Sequence, residues 1–246
     1  MPSPPRHHHR FAAVLLALYG VLFIATAFHV VDRQTWVLES AVSLTAVVLL
    51  VLSRNRLPLS RISYTLIFIH VVLHTIAAHY TYSQVPYDQW SQNLFGFSID
   101  DALSFERNQF DRFVHLCYGL LIAYPVRELV LRIADVRGFW GYFLPLDITM
   151  STSMMYELVE WGVAMQIGDG NPLYLGTQGD PWDAQKDMAL ATIGAVIAMI
   201  VTALVNVKYQ RDFAREWLES LRVKHRVPLG EDAIARMKQD GTWREE

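Results

Sequence analysis

The sequence predicts an all-α fold, a polytopic membrane protein built as a six-transmembrane-helix bundle with both termini cytoplasmic. Three observations lead to this prediction: low charge content, six long apolar stretches, and an uneven distribution of lysine and arginine. Of the 246 residues, 52% are hydrophobic and 18% are charged. A soluble domain of this length usually carries more charge. The composition therefore indicates a chain that lies largely in lipid.

The six apolar stretches are each close to the roughly 20 residues that a transmembrane helix needs. They cover about residues 11–31, 36–53, 62–80, 111–131, 139–163 and 187–207. The first stretch is either a retained helix or a cleaved signal peptide, because Ala25-Thr26-Ala27 resembles a cleavage site. Its apolar run is longer than the roughly 7–15-residue core of a signal peptide, and we therefore expect a retained helix.

Lysine and arginine predict the orientation of these spans. With the N-terminus inside, the inner segments hold 17 of these residues and the outer segments hold four. Cytoplasmic segments carry the excess of basic residues. This predicts a cytoplasmic N-terminal segment, 1–10, a transmembrane domain, 11–207, with outer loops at about 81–110 and 164–186, and a cytoplasmic amphipathic tail, 208–246. We expect Ser91 and Asn171 to be accessible from outside and Lys224 from inside.

Helical periodicity extends into the tail, and small residues mark the last span. Phe213, Trp217 and Leu221 recur at helical spacing among charged residues. This pattern predicts an amphipathic helix, either on the inner membrane surface or against the bundle. Gly194 and Ala198 give the last span a small-xxx-small face, which favours close contact with another helix.

Ionisable residues from several spans are predicted to meet at the outer ends of the helices. Asp111 and His115 are four apart and therefore share one helical face. Asp180 followed by Pro181 is typical of a helix start. Asp183 and Asp187 would repel each other unless Lys186 or a metal ion lay between them. The candidate catalytic groups at this level are Asp111, His115, Glu157, Glu160, Asp183 and Asp187.

This set of residues fits several kinds of chemistry. Carboxylates with an imidazole suit Mg²⁺, Mn²⁺ or Zn²⁺, and they equally suit acid–base chemistry or a proton relay. The candidate metal ligands are Asp111, His115, Glu157, Glu160 and Asp187. The candidate substrate contacts, suited to an anionic head group, are Arg107, Arg112, Lys186 and Gln178. The residues interpreted as packed or hydrogen-bonded are His29, His70, His74 and His79, while Glu39 is ambiguous.

Three segments carry a resemblance to a known family. At RNQFDRFVHLCYG, YELVEW and GTQGDPWDAQKDM the chain resembles the YjdF-like family of uncharacterised bacterial inner-membrane proteins. The resemblance runs from the first span to the end of the sixth, and implies a polytopic fold in the bacterial cytoplasmic (inner) membrane. The Asp-x-x-x-His pattern and the later acids are also similar to VanZ-like proteins, which are linked to glycopeptide-antibiotic tolerance. The long aromatic first outer loop differs from those proteins, and their activity is not carried over.

Our leading interpretation is a membrane-embedded enzyme or binding protein with an outward-facing cation site. Its partners would be membrane lipid and a lipid-linked or envelope substrate, and nothing in the sequence favours nucleic acid. The alternatives are a small proton- or ion-coupled transporter and a structural or accessory membrane protein. The inner halves of most spans are apolar, with Asp147 as the main exception, which favours a one-sided site over a continuous path. Enzyme status, substrate, metal and oligomeric state stay open.

Overall fold

The computed structural model describes residues 6–167, 177–209, 212–224 and 227–240. Within these ranges the regular secondary structure is helical, which confirms the all-α prediction. The helices are α1 (Arg6–Thr26), α2 (Arg33–Ser53), α3 (Arg61–His79), α4 (Tyr87–Phe95), α5 (Ile99–Leu103), α6 (Phe110–Ile133), α7 (Trp140–Ile167), α8 (Asp183–Tyr209), α9 (Phe213–Ser220) and α10 (Leu229–Gln239).

Five of the helices in the described part of the chain are long and apolar enough to cross a membrane: α1 from His9, α2, α3, α6 and α8. The fifth predicted span corresponds to α7, which has 28 residues but carries Asp147, Glu157 and Glu160. The sixth span and the orientation of the bundle therefore stay predictions. The first span ends five residues earlier than expected, at Thr26.

The short connection between α1 and α2 is fixed by hydrogen bonds to the end of α3. His79 accepts a hydrogen bond from the Val31 N–H through its carbonyl oxygen, at 3.2 Å. The His79 side chain bonds to the Thr26 carbonyl oxygen at 2.8 Å through Nδ1, and the Asp32 carboxylate caps α2 by accepting from the Thr35 N–H. We call this end of the bundle, where α1 ends, α2 begins and α3 ends, the upper end.

Helix α6 lies at the centre, packed against α3, α7 and α8. It meets α8 backbone to backbone, because a Cβ atom on Gly119 would lie 1.8 Å from the Ala191 carbonyl oxygen. A Cβ atom on Gly194 would lie 2.2 Å from the Leu116 carbonyl oxygen. Ala198 is also buried in this contact region. The predicted small-residue face of the last span is therefore confirmed.

The segment predicted as the first outer loop is packed and contains α4 and α5. Tyr82 and Val85 are buried with Phe110 in an apolar cluster between α3 and α6. The Ser91 hydroxyl donates to the Phe97 carbonyl oxygen, and only 4% of Ser91 is exposed. The expectation that Ser91 is accessible is therefore wrong, because α4 turns this side chain inward. Asn171, the other expected outer position, falls outside the described residues.

The tail docks on the lower end of the bundle. Phe213 and Trp217 of α9 pack with Tyr142 of α7, with ring centroids 6.1 and 5.6 Å from that of the tyrosine. The Ser220 hydroxyl accepts from the Phe139 N–H at 2.9 Å. Of the two predicted locations for this amphipathic helix, the structure shows the one against the bundle. Leu221 lies just beyond the helix and is exposed.

Candidate functional site

The N-terminal ends of α6 and α8 bring three of the predicted site residues together. Asp111 and His115 lie one turn apart on α6, and Asp187 projects from the second turn of α8. One ligand atom from each residue lies within 4.8 Å of the other two. The His115 Nε2 atom is 3.4 Å from Asp111 Oδ1. All three side chains are buried, and this group is hereafter the Asp-His-Asp group.

Glu157 approaches the Asp-His-Asp group from α7, with its Oε1 atom 3.5 Å from His115 Nε2. Glu157 Oε1 and Asp187 Oδ1 are both buried and have no hydrogen-bond partner. Leaving a buried polar atom unpaired costs about 1–3 kcal/mol, and more when the group is charged. One of these oxygen atoms lies beside His115, and the other belongs to a residue of the Asp-His-Asp group.

Glu160 lies one turn beyond Glu157 and away from the Asp-His-Asp group. Its carboxyl group neighbours Glu157 and the Tyr156 hydroxyl. The Tyr156 hydroxyl also donates to Glu39 Oε2 at 2.5 Å, which joins α7 to α2. Three acids from three helices, Asp111, Asp187 and Glu157, are therefore close to His115. Glu160 instead interacts with Glu157 and Tyr156.

A second cluster, the outer ion-pair cluster, surrounds Asp180 and Asp183. Arg107 Nη1 lies 2.7 Å from Asp183 Oδ1, and Arg112 Nη2 lies 2.6 Å from Asp180 Oδ2. Lys186 Nζ also contacts Asp180 Oδ2, at 2.5 Å. The bases predicted to contact substrate are therefore paired with acids of the same chain. Asp183 belongs to this cluster, separately from Asp187, so Lys186 is not the partner that separates these two aspartates.

Gln178 holds two loops together. Its side chain accepts from the Asn108 N–H at 3.1 Å and donates to the Asn108 carbonyl oxygen at 3.0 Å. Arg107 donates to the neighbouring Thr177 carbonyl oxygen at 2.9 Å. The hydrogen bond from Lys186, the Trp182 N–H and the nearby charges lower the pKa of Asp180 to about 2. These contacts fix the start of α8 beside the start of α6. They also keep Asp180 ionised.

Tyr82, Ser153 and Tyr156 lie near the site and were not singled out from the sequence, and His74 was interpreted only as packed or hydrogen-bonded. His74 donates through Nε2 to the Glu39 carbonyl oxygen at 3.0 Å and accepts from the Tyr82 hydroxyl through Nδ1 at 2.5 Å. Ser153 and Tyr156 face the same region from α7. The available signals were the acid at position 39 in an apolar span and the tyrosine that opens YELVEW. A serine or tyrosine on its own in an apolar span shows no sequence pattern that predicts a functional site.

Comparison with known proteins identifies the family. Residues 11–208 match the family described as "Predicted membrane protein (DUF2238)". The chain belongs to this family. It is also similar to the inner membrane protein YjdF of Escherichia coli (strain K12), with 36% identity over 194 residues. The aligned region is 78% of this chain and 89% of the relative.

Membership of the DUF2238 family confirms the YjdF-like resemblance drawn from the three sequence segments. Together with the five apolar helices, it also confirms an integral, multi-pass membrane protein, and the E. coli relative is an inner-membrane protein. No solved structure matches the chain. The weaker similarity to VanZ-like proteins has no support from these comparisons and stays a prediction.

Proposed function

We propose that this DUF2238 protein binds a divalent cation at the Asp-His-Asp group and acts on a lipid-linked or envelope substrate at the outer side of the membrane. The single observation that carries the proposal is the pair of buried, unpartnered oxygen atoms, Asp187 Oδ1 and Glu157 Oε1. Both residues neighbour His115, and a cation bound by both acids would satisfy the two atoms. Asp111, His115 and Asp187 are the proposed ligands, with Glu157 as the fourth.

The distribution of charge supports a cation at this position. Arg107, Arg112 and Lys186 form their ion pairs with Asp180 and Asp183. The carboxylates of Asp111, Asp187 and Glu157 are therefore balanced by His115, by protonation or by a bound cation, since a buried, unpaired charge is very costly. A divalent cation supplies that balance locally.

The ligand set limits the identity of the cation and its chemistry. Three carboxylates and one imidazole suit Zn²⁺ and Mn²⁺, and Mg²⁺ if water completes its coordination shell. Such a cation polarises a carbonyl or phosphoryl oxygen, or lowers the pKa of a bound water. Glu160 lies close enough to Glu157 to exchange a proton within the acid cluster. This arrangement supports an enzyme more than a purely structural protein.

The proposed topology has six spans, with the upper end facing outward. Helix α7 runs beside α6 and α8, and its 28 residues correspond to about 42 Å at 1.5 Å per residue. That length is sufficient to cross a bilayer despite its acids. The 17-to-four distribution of basic residues supports cytoplasmic termini, which puts the Asp-His-Asp group near the outer surface.

A transporter receives less support from the arrangement of polar groups. Asp147, the acid predicted in the inner half of the bundle, is exposed on the surface of α7. Its side chain therefore does not extend the acid cluster toward the lower end through the core. A transporter needs polar groups on both sides of its site. In the part of the chain that the structure describes, the buried acids lie in the upper half of the bundle: Glu39, Asp111, Glu157, Asp183 and Asp187.

Metal analysis of the full-length protein in detergent tests the cation. We expect near-stoichiometric divalent metal in the wild type and a lower melting temperature after chelation, because a ligand at 100 times its Kd stabilises by about 2.7 kcal/mol. Asp187→Asn should lose the metal and the response to chelator. Asp101→Asn is the matched control, since Asp101 is an exposed acid at the upper end.

The outcomes separate the cation site from a network of structural ion pairs. A metal-free wild type that ignores chelator, with Asp187→Asn melting well below it, would contradict the proposal. If Asp187→Asn does not fold, Glu157→Gln provides the second variant. Its Oε1 atom is unpartnered, and this substitution should weaken metal binding without removing one of the three residues of the group.

A further inference from the structure

A cavity with several polar side chains in a mainly apolar wall adjoins the Asp-His-Asp group on the side of the bilayer centre. Its volume is about 230 Å³, and His115 forms part of its wall. The other polar walls include His70, Tyr82, Tyr118, Ser153 and Tyr156. Pockets for drug-sized ligands are roughly 300–1,000 Å³. The cavity therefore suits one small polar group beside the proposed cation and not a whole lipid.

Two residues that line the cavity each have a buried polar atom without a hydrogen-bond partner. Ser153 is only 2% exposed, and its hydroxyl has no hydrogen-bond partner. His70 Nδ1 is likewise buried and unpartnered. Buried polar groups are nearly always paired, with protein or with a bound molecule. Both residues belong to the cavity wall, and a bound molecule that reaches these two atoms would supply the missing partners.

In the proposed six-span topology, the cavity opens near mid-bilayer depth, between α2 and α7. Val42 is the tenth of 21 residues in α2, and Thr152 the thirteenth of 28 in α7. Both line the cavity region and are exposed, Val42 to 44%. Helix α2 packs against α3, while α7 packs against α6 and α8. The Glu39–Tyr156 hydrogen bond spans the cleft about one turn closer to the upper end.

The charge of the residues that line the cavity limits which kind of molecule can bind there. The residues that line the cavity include no lysine or arginine, and the adjoining Asp-His-Asp group with Glu157 already holds three carboxyl groups. A net negative head group would find no protein cation in the cavity and would compete with these acids. An uncharged group with a hydroxyl or carbonyl fits the imidazole and hydroxyl walls.

We infer that the cavity is a head-group pocket which an uncharged amphiphile, such as a diacylglycerol-like lipid, enters sideways from the bilayer between α2 and α7. The inference rests on the proposed function, because it names the substrate class of that site. The acyl chains remain in the lipid, and the small polar end reaches Ser153 and His70 beside the cation. The Glu39–Tyr156 hydrogen bond closes the cleft on the upper side.

Photo-crosslinking in phosphatidylcholine vesicles tests this inference with the full-length protein. The probe is a diacylglycerol that keeps its free hydroxyl and carries a diazirine beside it. Mass spectrometry should find the probe attached at Thr152, Ser153 or Tyr156. Ser153→Ala should lower the yield about fivefold, the equivalent of one hydrogen bond. Phosphatidylglycerol with the same diazirine should give little product at these positions.

A pair of tryptophan substitutions on α2 tests the entry route. Val42→Trp should block the mouth and reduce crosslinking at Ser153, whereas Val48→Trp should not, because Val48 is similarly exposed on α2 but does not line the cavity. Equal labelling by the anionic probe would overturn the assignment of an uncharged head group. Labelling unchanged by Val42→Trp would overturn the lateral route. Crosslinking does not need the cation, so a metal-free protein would contradict the proposed function and leave this result interpretable.

Discussion

Gly119 and Ala191 bring two backbones into direct contact, since a Cβ atom on Gly119 would lie 1.8 Å from the Ala191 carbonyl oxygen. His115 lies one turn before Gly119 on α6, and Asp187 lies one turn before Ala191 on α8. The glycine contact therefore sets the distance between the two halves of the Asp-His-Asp group. The geometry of the site depends on a position that carries no functional side chain.

Gly119→Ala should destabilise the bundle because the added methyl group has no space. We expect a loss of about 1–3 kcal/mol, the usual cost of overpacking, and weaker metal binding as α6 and α8 separate. Gly162→Ala in α7 is the matched control, since a Cβ atom there meets nothing within 4 Å. Alanine favours helices over glycine, so the control should be neutral or stabilising. Equal melting temperatures in detergent would contradict the close contact.

Arg107→Gln should destabilise the outer ion-pair cluster. Asp183 is only 3% exposed and would keep Arg112 alone, at 3.4 Å. Removing one partner of a buried pair costs roughly 3–5 kcal/mol, and we expect the lower part of that range because Arg112 remains. Arg137→Gln, with a 73% exposed side chain, is the control. Adding Asp183→Asn should restore part of the stability in a double-mutant cycle.

Lowering the pH should destabilise the outer ion-pair cluster, because Asp180 becomes protonated. Its pKa is lowered from 3.8 to about 2, chiefly by the hydrogen bond from Lys186. A carboxyl group with a lowered folded-state pKa contributes stability above its unfolded pKa and loses it as the pH falls through the folded value. The difference in melting temperature between wild type and Asp180→Asn should therefore be constant from pH 5 to 7 and shrink between about pH 4 and pH 2. A difference that does not change with pH would argue against the ion pairs.

Cysteine labelling tests the proposed orientation. In a Cys117→Ser background, Asn93→Cys in α4 should react with an impermeant thiol reagent on intact cells, because Asn93 is exposed at the upper end. Lys224→Cys in the tail should react only after lysis. The opposite pattern would place the upper end, and the Asp-His-Asp group with it, in the cytoplasm.

The sequence predicted the long helices well because length and hydropathy are local properties, but it did not predict α4, α5 and α10. It also predicted that Asp111 and His115 share a face, since a four-residue spacing in a helix allows little else. To predict that they lie close to Asp187, one also needs the relative positions of α6 and α8 along their axes and the distance between those axes. Gly194 and Ala198 indicated a short distance, but the relative positions depend on where each helix begins.

The separation of Asp183 from Asp187 could not be read from the sequence. Both lie on one face of α8, and the choice between them depends on which side chains a neighbouring loop supplies. Arg107 lies in that loop, three residues before α6 begins, and its position follows from contacts such as those of Gln178 with Asn108. Loop contacts of this kind have no periodic signature. The cavity was missed for a similar reason, because Ser153 and Tyr118 are unremarkable until four helices surround them.

The bond between Glu39 and Tyr156 also has a consequence for the order of events during synthesis. The acid leaves the ribosome 117 positions before its hydrogen-bond donor. At about 5–20 residues per second this is an interval of about 6–23 s. His74 follows Glu39 by 35 positions, so α3 is available to hold α2 long before α7 exists. During these first seconds α2 is therefore held by α3 but not yet by α7. The cleft between α2 and α7 closes only after α7 has been synthesised.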